Sequence, residues 1–121
     1  MKRDGATTSL WQDGMLDYIP TSSFDPGRTY DVMIVGGGAT GIATALQLQK
    51  AGKKCLVAEA HSLCFGTTGG TTAHLNTFFD TPYDTILNDF GEDAIHLVAS
   101  ATKKALHLYE SNVKEIGRAH V

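Results

Sequence analysis

An α/β fold built on a parallel βαβ unit is predicted by three observations in the 121-residue sequence. A short β-branched run, Tyr30-Asp31-Val32-Met33-Ile34-Val35, leads directly into the glycine cluster Gly36-Gly37-Gly38-Ala39-Thr40-Gly41. Residues Ala39 to Ala51 then place Ile42, Ala45, Leu46 and Leu48 at helical spacing. A second apolar run, Lys54-Cys55-Leu56-Val57-Ala58-Glu59, closes the unit.

The stretch before these elements, residues 1–29, is rich in Gly, Ser, Thr, Asp and Pro, and its apolar residues Leu10, Trp11, Tyr18 and Ile19 are too scattered for a periodic element. It reads as an extended arm. The first strand has the character of one buried on both faces of a parallel sheet. Gly52 stands where a helix C-terminal cap belongs, and the helix between two strands makes a right-handed crossover the expected connection.

From His61 to Thr77 the chain is dominated by Gly, Thr and Ser, with too little apolar content for a regular element, so a loop is predicted. Thr81-Pro82-Tyr83-Asp84 then offers an N-cap, a proline at the first helical position and an acid in the first turn. A short helix should run to about Phe90. After the break at Gly91, Ala94, Leu97, Val98, Ala101, Ala105, Leu108 and Tyr109 mark one face of a longer amphipathic helix. Thr102-Lys103-Lys104 reads as a solvated face of that helix, and His96 and His107 as surface or flanking residues.

Composition bounds the function. The hydrophobic fraction of 42% is ordinary for a globular chain, and the formal charge of −3 offers no basic field for a nucleic acid or an anionic lipid surface. No apolar run approaches the roughly 18 residues of a membrane span, and the start lacks the apolar core of a signal peptide, so a cytoplasmic location is the expectation. Cys55 and Cys64 form no Cys-x-x-Cys pair; neither a disulfide framework nor a zinc site is indicated, and Cys55 reads as structural.

The glycine cluster fits Gly-x-Gly-x-x-Gly, and its place between a strand and a helix is what gives the motif its meaning. Gly36 permits the tight turn out of the strand. Gly38 lets a pyrophosphate approach the backbone, and Gly41 lets the helix pack close to the strand. The helix N-terminus at Ala39 and Thr40 faces the phosphates with its unpaired amides and positive dipole end, so no lysine is needed. Glu59, about twenty residues further on, is placed to accept hydrogen bonds from adenosine ribose hydroxyls. With Ala60-His61-Ser62-Leu63 offering no base for a 2′-phosphate, NADP fits least.

Two features favour FAD over NAD: the fingerprint comes near the N-terminus, and the second strand leads into Phe65-Gly66-Thr67-Thr68-Gly69-Gly70-Thr71-Thr72-Ala73-His74. Gly66 and its neighbours can turn backbone amides toward an anion, while Thr67, Thr68, Thr71 and Thr72 add hydroxyl donors without bulk. His74, the histidine of this loop, is read as a loop hydrogen-bonder with flavin contact as the alternative. An NAD-dependent dehydrogenase and a non-catalytic dinucleotide-binding module remain the two alternative readings.

The fingerprint, Glu59, the Gly-Thr-Thr-Gly-Gly-Thr-Thr-Ala-His segment and the turn Phe90-Gly91-Glu92-Asp93-Ala94 together resemble the FAD-dependent oxidoreductases of the D-amino-acid oxidase and glycine oxidase superfamily. In particular the chain resembles the bacterial branch whose flavin domain is followed by a C-terminal Rieske iron–sulfur domain, members of which also begin with a segment like Ser9-Leu10-Trp11. The resemblance runs to about Glu115. It implies a Rossmann-like FAD-binding unit in which Gly36, Gly38 and Gly41 line the pyrophosphate, Glu59 holds the ribose, and Thr67, Thr68 and nearby glycines continue along the cofactor. Gly70 departs from the pattern, standing where the family commonly has a basic residue. Hydride transfer from a substrate, an amine or amino acid, to the flavin is the implied reaction, with a small-molecule substrate and an electron acceptor as partners. A 2Fe-2S Rieske cluster is implied for a following domain. No residue present is assigned a catalytic role, since the resemblance places the substrate domain beyond residue 121.

Residues 30–115 are therefore expected to be the N-terminal part of an FAD-binding domain. The last residues, Ile116-Gly117-Arg118-Ala119-His120-Val121, read back into DNA as ATC GGA AGA GCA CAC GTC, the start of a widely used short-read sequencing adapter. They are expected to be a read-through artefact, so that the sequence is a fragment.

Overall fold

A computed structural model describes residues 7–13, 18 and 24–117, and the chain divides after Thr72 into two compact units. In the first unit, β1 (Val32–Val35) and β2 (Cys55–Ala58) pair in parallel, with Val32 opposite Cys55 and Val35 opposite Ala58. Parallel neighbours need a crossover, and α1 (Ala39–Lys50) supplies it. The ladder runs past the strands at both ends. The Gly36 amide donates to the Ala58 carbonyl at 2.8 Å, and the Asp31 amide to the Lys54 carbonyl at 2.9 Å, while the Lys54 amide returns to the Asp31 carboxylate at 2.8 Å.

Helix α1 ends as its sequence requires. Gly52 takes φ +80°, its amide donates to the Gln49 carbonyl and that of Lys53 to the Leu48 carbonyl, each at 2.9 Å. This paired closure satisfies carbonyls that the helix end would otherwise leave open, and the left-handed residue in it is cheapest as glycine. Ala45 of α1 is the buried apolar residue among the described residues.

Burial of β1 on both faces is not what the structure has. Val32 and Ile34 are half-buried, whereas Met33 is 63% and Val35 84% exposed. Successive strand residues point to opposite faces, and α1 covers one of them.

Two further expectations are corrected in this unit. The described part of the arm is not uniformly extended: residues 9–13 form a turn closed by the Gln12 and Asp13 amides on the Ser9 carbonyl, both at 3.0 Å. The glycine/threonine loop contains one helical turn, α2 (Thr67–Gly70). Thr-Thr-Gly-Gly is a poor helix former, so this turn owes its geometry to tertiary contacts and not to propensity.

The second unit pairs α3 (Tyr83–Phe90) with α4 (Glu92–Ile116). The N-cap of α3 falls on Pro82, one residue later than expected from Thr81, because the extended ψ of 149° at Pro82 leaves Tyr83 as the first helical residue. Gly91, at φ +86°, ends α3 and starts α4, where an L side chain would be strained. On α4 the half-buried face comprises Ala94, Ile95, Val98, Ala99, Thr102, Leu106 and Val113. The stripe read from the sequence is therefore rotated: Ala94 and Val98 belong to the packed face, but Leu97, Ala101, Ala105, Leu108 and Tyr109 are exposed. Helix α4 carries two apolar stripes, and the one containing Ile95, Ala99 and Leu106 is the one covered. His96 and His107 are surface residues as expected, facing Glu92 at 3.7 Å and Glu110 at 3.5 Å.

Gly117, in the left-handed region, caps α4 by donating to the Val113 carbonyl at 3.0 Å. Most of the proposed adapter-derived tail, residues 118–121, lies outside the described residues, as does much of the arm. Among the described residues no helix is long and apolar enough to cross a membrane.

Candidate functional site

The site forms where the chain leaves the carboxyl ends of β1 and β2. Gly36 turns at φ +103°. Gly41 lies so close under that turn that a Cβ there would overlap the Gly36 carbonyl oxygen and stand 3.4 Å from Ile34 Cγ2. Gly38 is the N-cap of α1 without a side-chain cap, and no acid occupies the first turn. The amides of Ala39, Thr40 and Gly41 thus lack an acceptor four residues back within the helix. Thr40 is exposed, and its carbonyl accepts the Thr44 hydroxyl at 2.8 Å.

The loop after β2 folds back onto this turn. Thr68 Oγ1 accepts the Ala39 amide at 3.0 Å and lies 3.1 Å from where a Gly38 Cβ would stand. The Glu59 carboxylate is half-buried against the same turn: Oε2 accepts the Gly37 amide at 2.6 Å and Oε1 the His61 amide at 2.9 Å. These two amides, Gly37 foremost, hold the Glu59 carboxyl below the usual carboxylate range, because they stabilise its charged form. Each carboxylate oxygen still has a second lone pair available to a hydroxyl donor.

Of the other predicted residues, Ala60 follows Glu59 as an exposed residue, Gly66 is the N-cap of α2 and Thr67 its first residue. Thr71 and Thr72 are exposed beyond the helical turn, the Thr71 carbonyl accepting the Trp11 indole N–H at 2.8 Å. His74 belongs to the second unit, where it lines a groove with Phe78, Phe79, Leu106 and Tyr109.

Gly37 is the residue that motif reading passes over. It occupies a variable position of the fingerprint, yet it is buried, its carbonyl accepts the Cys64 amide at 3.0 Å, and a Cβ on it would stand 2.5 Å from Leu63 Cδ2. Gly69 is equally enclosed, its missing Cβ directed at Gln12 and 2.6 Å from the Cys64 carbonyl. Neither constraint has a motif signal: Leu63 meets Gly37 from 26 residues on, and Gly69 is confined by Gln12, 57 residues earlier, together with the nearby Cys64 carbonyl.

Comparison with known proteins gives this geometry a family. Residues 31–116 match the model of the DAO family, FAD dependent oxidoreductase. The chain belongs to the FAD-dependent oxidoreductase family. Within 85 residues, 70% of this chain and 17% of the relative, it is 38% identical to the Rieske 2Fe-2S iron–sulfur protein YhfW of Bacillus subtilis (strain 168). It is 29% identical to gamma-glutamylputrescine oxidoreductase of Escherichia coli (strain K12) over 108 residues, 89% of this chain and 25% of that one. It is 44% identical to thiamine thiazole synthase of Methanococcus vannielii over 62 residues, half of this chain and 24% of that one. The chain thus spans a quarter or less of the length of these curated relatives. No solved structure matches it significantly.

The residues present fit the family's cofactor chemically. A helix start whose N-cap, Gly38, brings no capping side chain suits a pyrophosphate, and the Thr68 hydroxyl shows that an oxygen acceptor fits against the Ala39 amide. A carboxylate kept ionised beside it suits vicinal hydroxyls.

Proposed function

We propose that this chain is the Rossmann-like, FAD-holding segment of a longer oxidoreductase acting on an amine or amino acid. The observation that carries the reading is the convergence of the first turn of α1, the Glu59 carboxylate and the Thr68 hydroxyl just past the carboxyl ends of two parallel strands, where open α/β sheets bind nucleotides. Bound FAD supplies a two-electron acceptor for a hydride leaving a substrate carbon, and an electron acceptor reoxidises it.

The chain's own residues bind and orient. Gly36 and Gly38 keep the turn free of side chains of their own, and the amides of Thr40 and Gly41, next to the Ala39 amide that Thr68 takes up, present donors and a positive dipole end to the pyrophosphate. Glu59, already anchored by two amides, accepts the ribose hydroxyls without having to be ordered first. Thr67, Thr68, Thr71 and Thr72 line the continuation of the site with hydroxyls, Gly66 and Ala60 leaving room beside them. The absence of Arg or Lys in Ala60–Leu63 supports FAD over NADP.

An amine substrate is supported by the name of the Escherichia coli relative, and a 2Fe-2S centre in another part of the protein by that of the Bacillus relative. Anaerobic mixing of the full-length flavoprotein with primary and secondary amines and amino acids tests the substrate class. Bleaching of the flavin by one of them is the expected result; bleaching by none, with reduction by NADH instead, argues for a pyridine-nucleotide enzyme.

A further inference from the structure

The arm reaches the cofactor loop at three points, all within the first unit. Ser9 Oγ donates to the Gly69 carbonyl, Trp11 Nε1 donates to the Thr71 carbonyl at 2.8 Å, and Gln12 covers the face of Gly69 where a Cβ has no room. The turn that presents these groups is itself closed by the Gln12 and Asp13 amides on Ser9. The two anchored carbonyls belong to the C-terminal end of α2 and to its C-cap, Thr71; α2 itself is a single turn of Thr-Thr-Gly-Gly that has no propensity to hold itself. On that turn sits Thr68, whose hydroxyl meets the first amide of α1.

We infer that the turn at residues 9–13 is a positioning element for the dinucleotide site: Ser9 and Trp11 fix α2 by its backbone, and α2 fixes the Thr68 hydroxyl over the N-terminus of α1. Neither Ser9 nor Trp11 contacts the α1 turn or Glu59 through a hydrogen bond of its own; each acts through Thr68. The inference rests on the FAD-binding reading above, and the two fail separately. Wild-type protein that binds no FAD overturns that reading, whereas FAD-binding protein indifferent to these residues overturns only this one.

The test is a double-mutant cycle in the full-length protein, with FAD affinity measured by quenching of flavin fluorescence on titrating apoprotein, and apoprotein Tm measured beside it. W11F keeps an aromatic ring, a smaller one, and removes the indole N–H; S9A removes the hydroxyl and S9T keeps it. W11F and S9A should each weaken FAD about threefold to tenfold, the range of one neutral hydrogen bond, with S9T at wild-type affinity. T68V should weaken FAD by itself, and W11F should add nothing in the T68V background. A purely structural arm would instead give additive losses that track Tm. Additivity, an unaffected T68V, or wild-type affinity in both W11F and S9A would overturn the proposal.

Discussion

The Glu59 carboxylate accepts the Gly37 amide at 2.6 Å, so the acid just past the second strand and the glycine at the first variable position of the fingerprint are one bonded unit across 22 residues of sequence. Glu59 therefore holds the shape of the glycine turn, and in the proposed reading it also offers lone pairs to a ribose. Its second oxygen, on the His61 amide, fixes the carboxylate plane.

That dual role sets a pH dependence. The amides lower the folded-state pKa of Glu59 below its unfolded value, so the bond contributes stability fully above the ordinary glutamate value of about 4.3 and loses it as pH falls through the lowered folded value. FAD retention should accordingly be flat at neutral pH and fail on the acid side. E59Q should weaken FAD roughly tenfold at neutral pH and lose the acid step attributable to this residue. Equilibrium dialysis across the acid range is the check, and an unchanged affinity in E59Q would remove Glu59 from the site.

A Cβ at Gly37 meets a side chain, so its cost should be relievable. G37A is expected to destabilise by about 1 to 3 kcal/mol through overpacking against Leu63, and G37A/L63A to recover part of that loss. Urea midpoints of the two variants decide it; equal losses would mean that the Glu59 side, not Leu63, sets the constraint.

Gly41 and Gly52 provide a contrast between close approach and backbone conformation. At Gly41 a Cβ would meet backbone at Gly36, which cannot swing away, so G41A should cost about 2 kcal/mol or more and abolish tight FAD binding. At Gly52 the space is open and only φ +80° matters, so G52A should cost about 1 kcal/mol and leave FAD affinity unchanged. Loss of FAD in G52A would contradict the separation.

The βαβ unit was legible because its signals are local: β-branched runs for the strands, helical spacing and a closing Gly52 for α1, and a glycine motif whose position between them carries its meaning. The position of Glu59 just past the second strand was legible for the same reason, and the structure sets its carboxylate on the Gly37 amide. What the sequence withholds is set by distant contacts. The single turn of α2 depends on Ser9, Trp11 and Gln12 some sixty residues earlier, and Gly37 and Gly69 are confined by segments that no motif counts. On α4 both apolar stripes have the right period, and only packing against α3 tells which is covered.

Burial in the 121-residue chain is slight: Ala45 is the buried apolar residue among those described, and Met33, Val35, Leu97 and Phe90 are largely exposed. A two-stranded sheet with so little covered surface is marginal, so this chain expressed alone should bind FAD weakly and unfold over a broad range. Sharp unfolding with tight FAD binding in that chain would show that the site needs nothing more.

The most direct test of the central claim is the absorption spectrum of the purified full-length protein, before and after denaturation, with the released cofactor identified by chromatography. The account predicts flavin bands and release of FAD, in an amount approaching one per chain. Protein without flavin after expression with excess FAD, together with measurable binding of NAD or NADP, would contradict it.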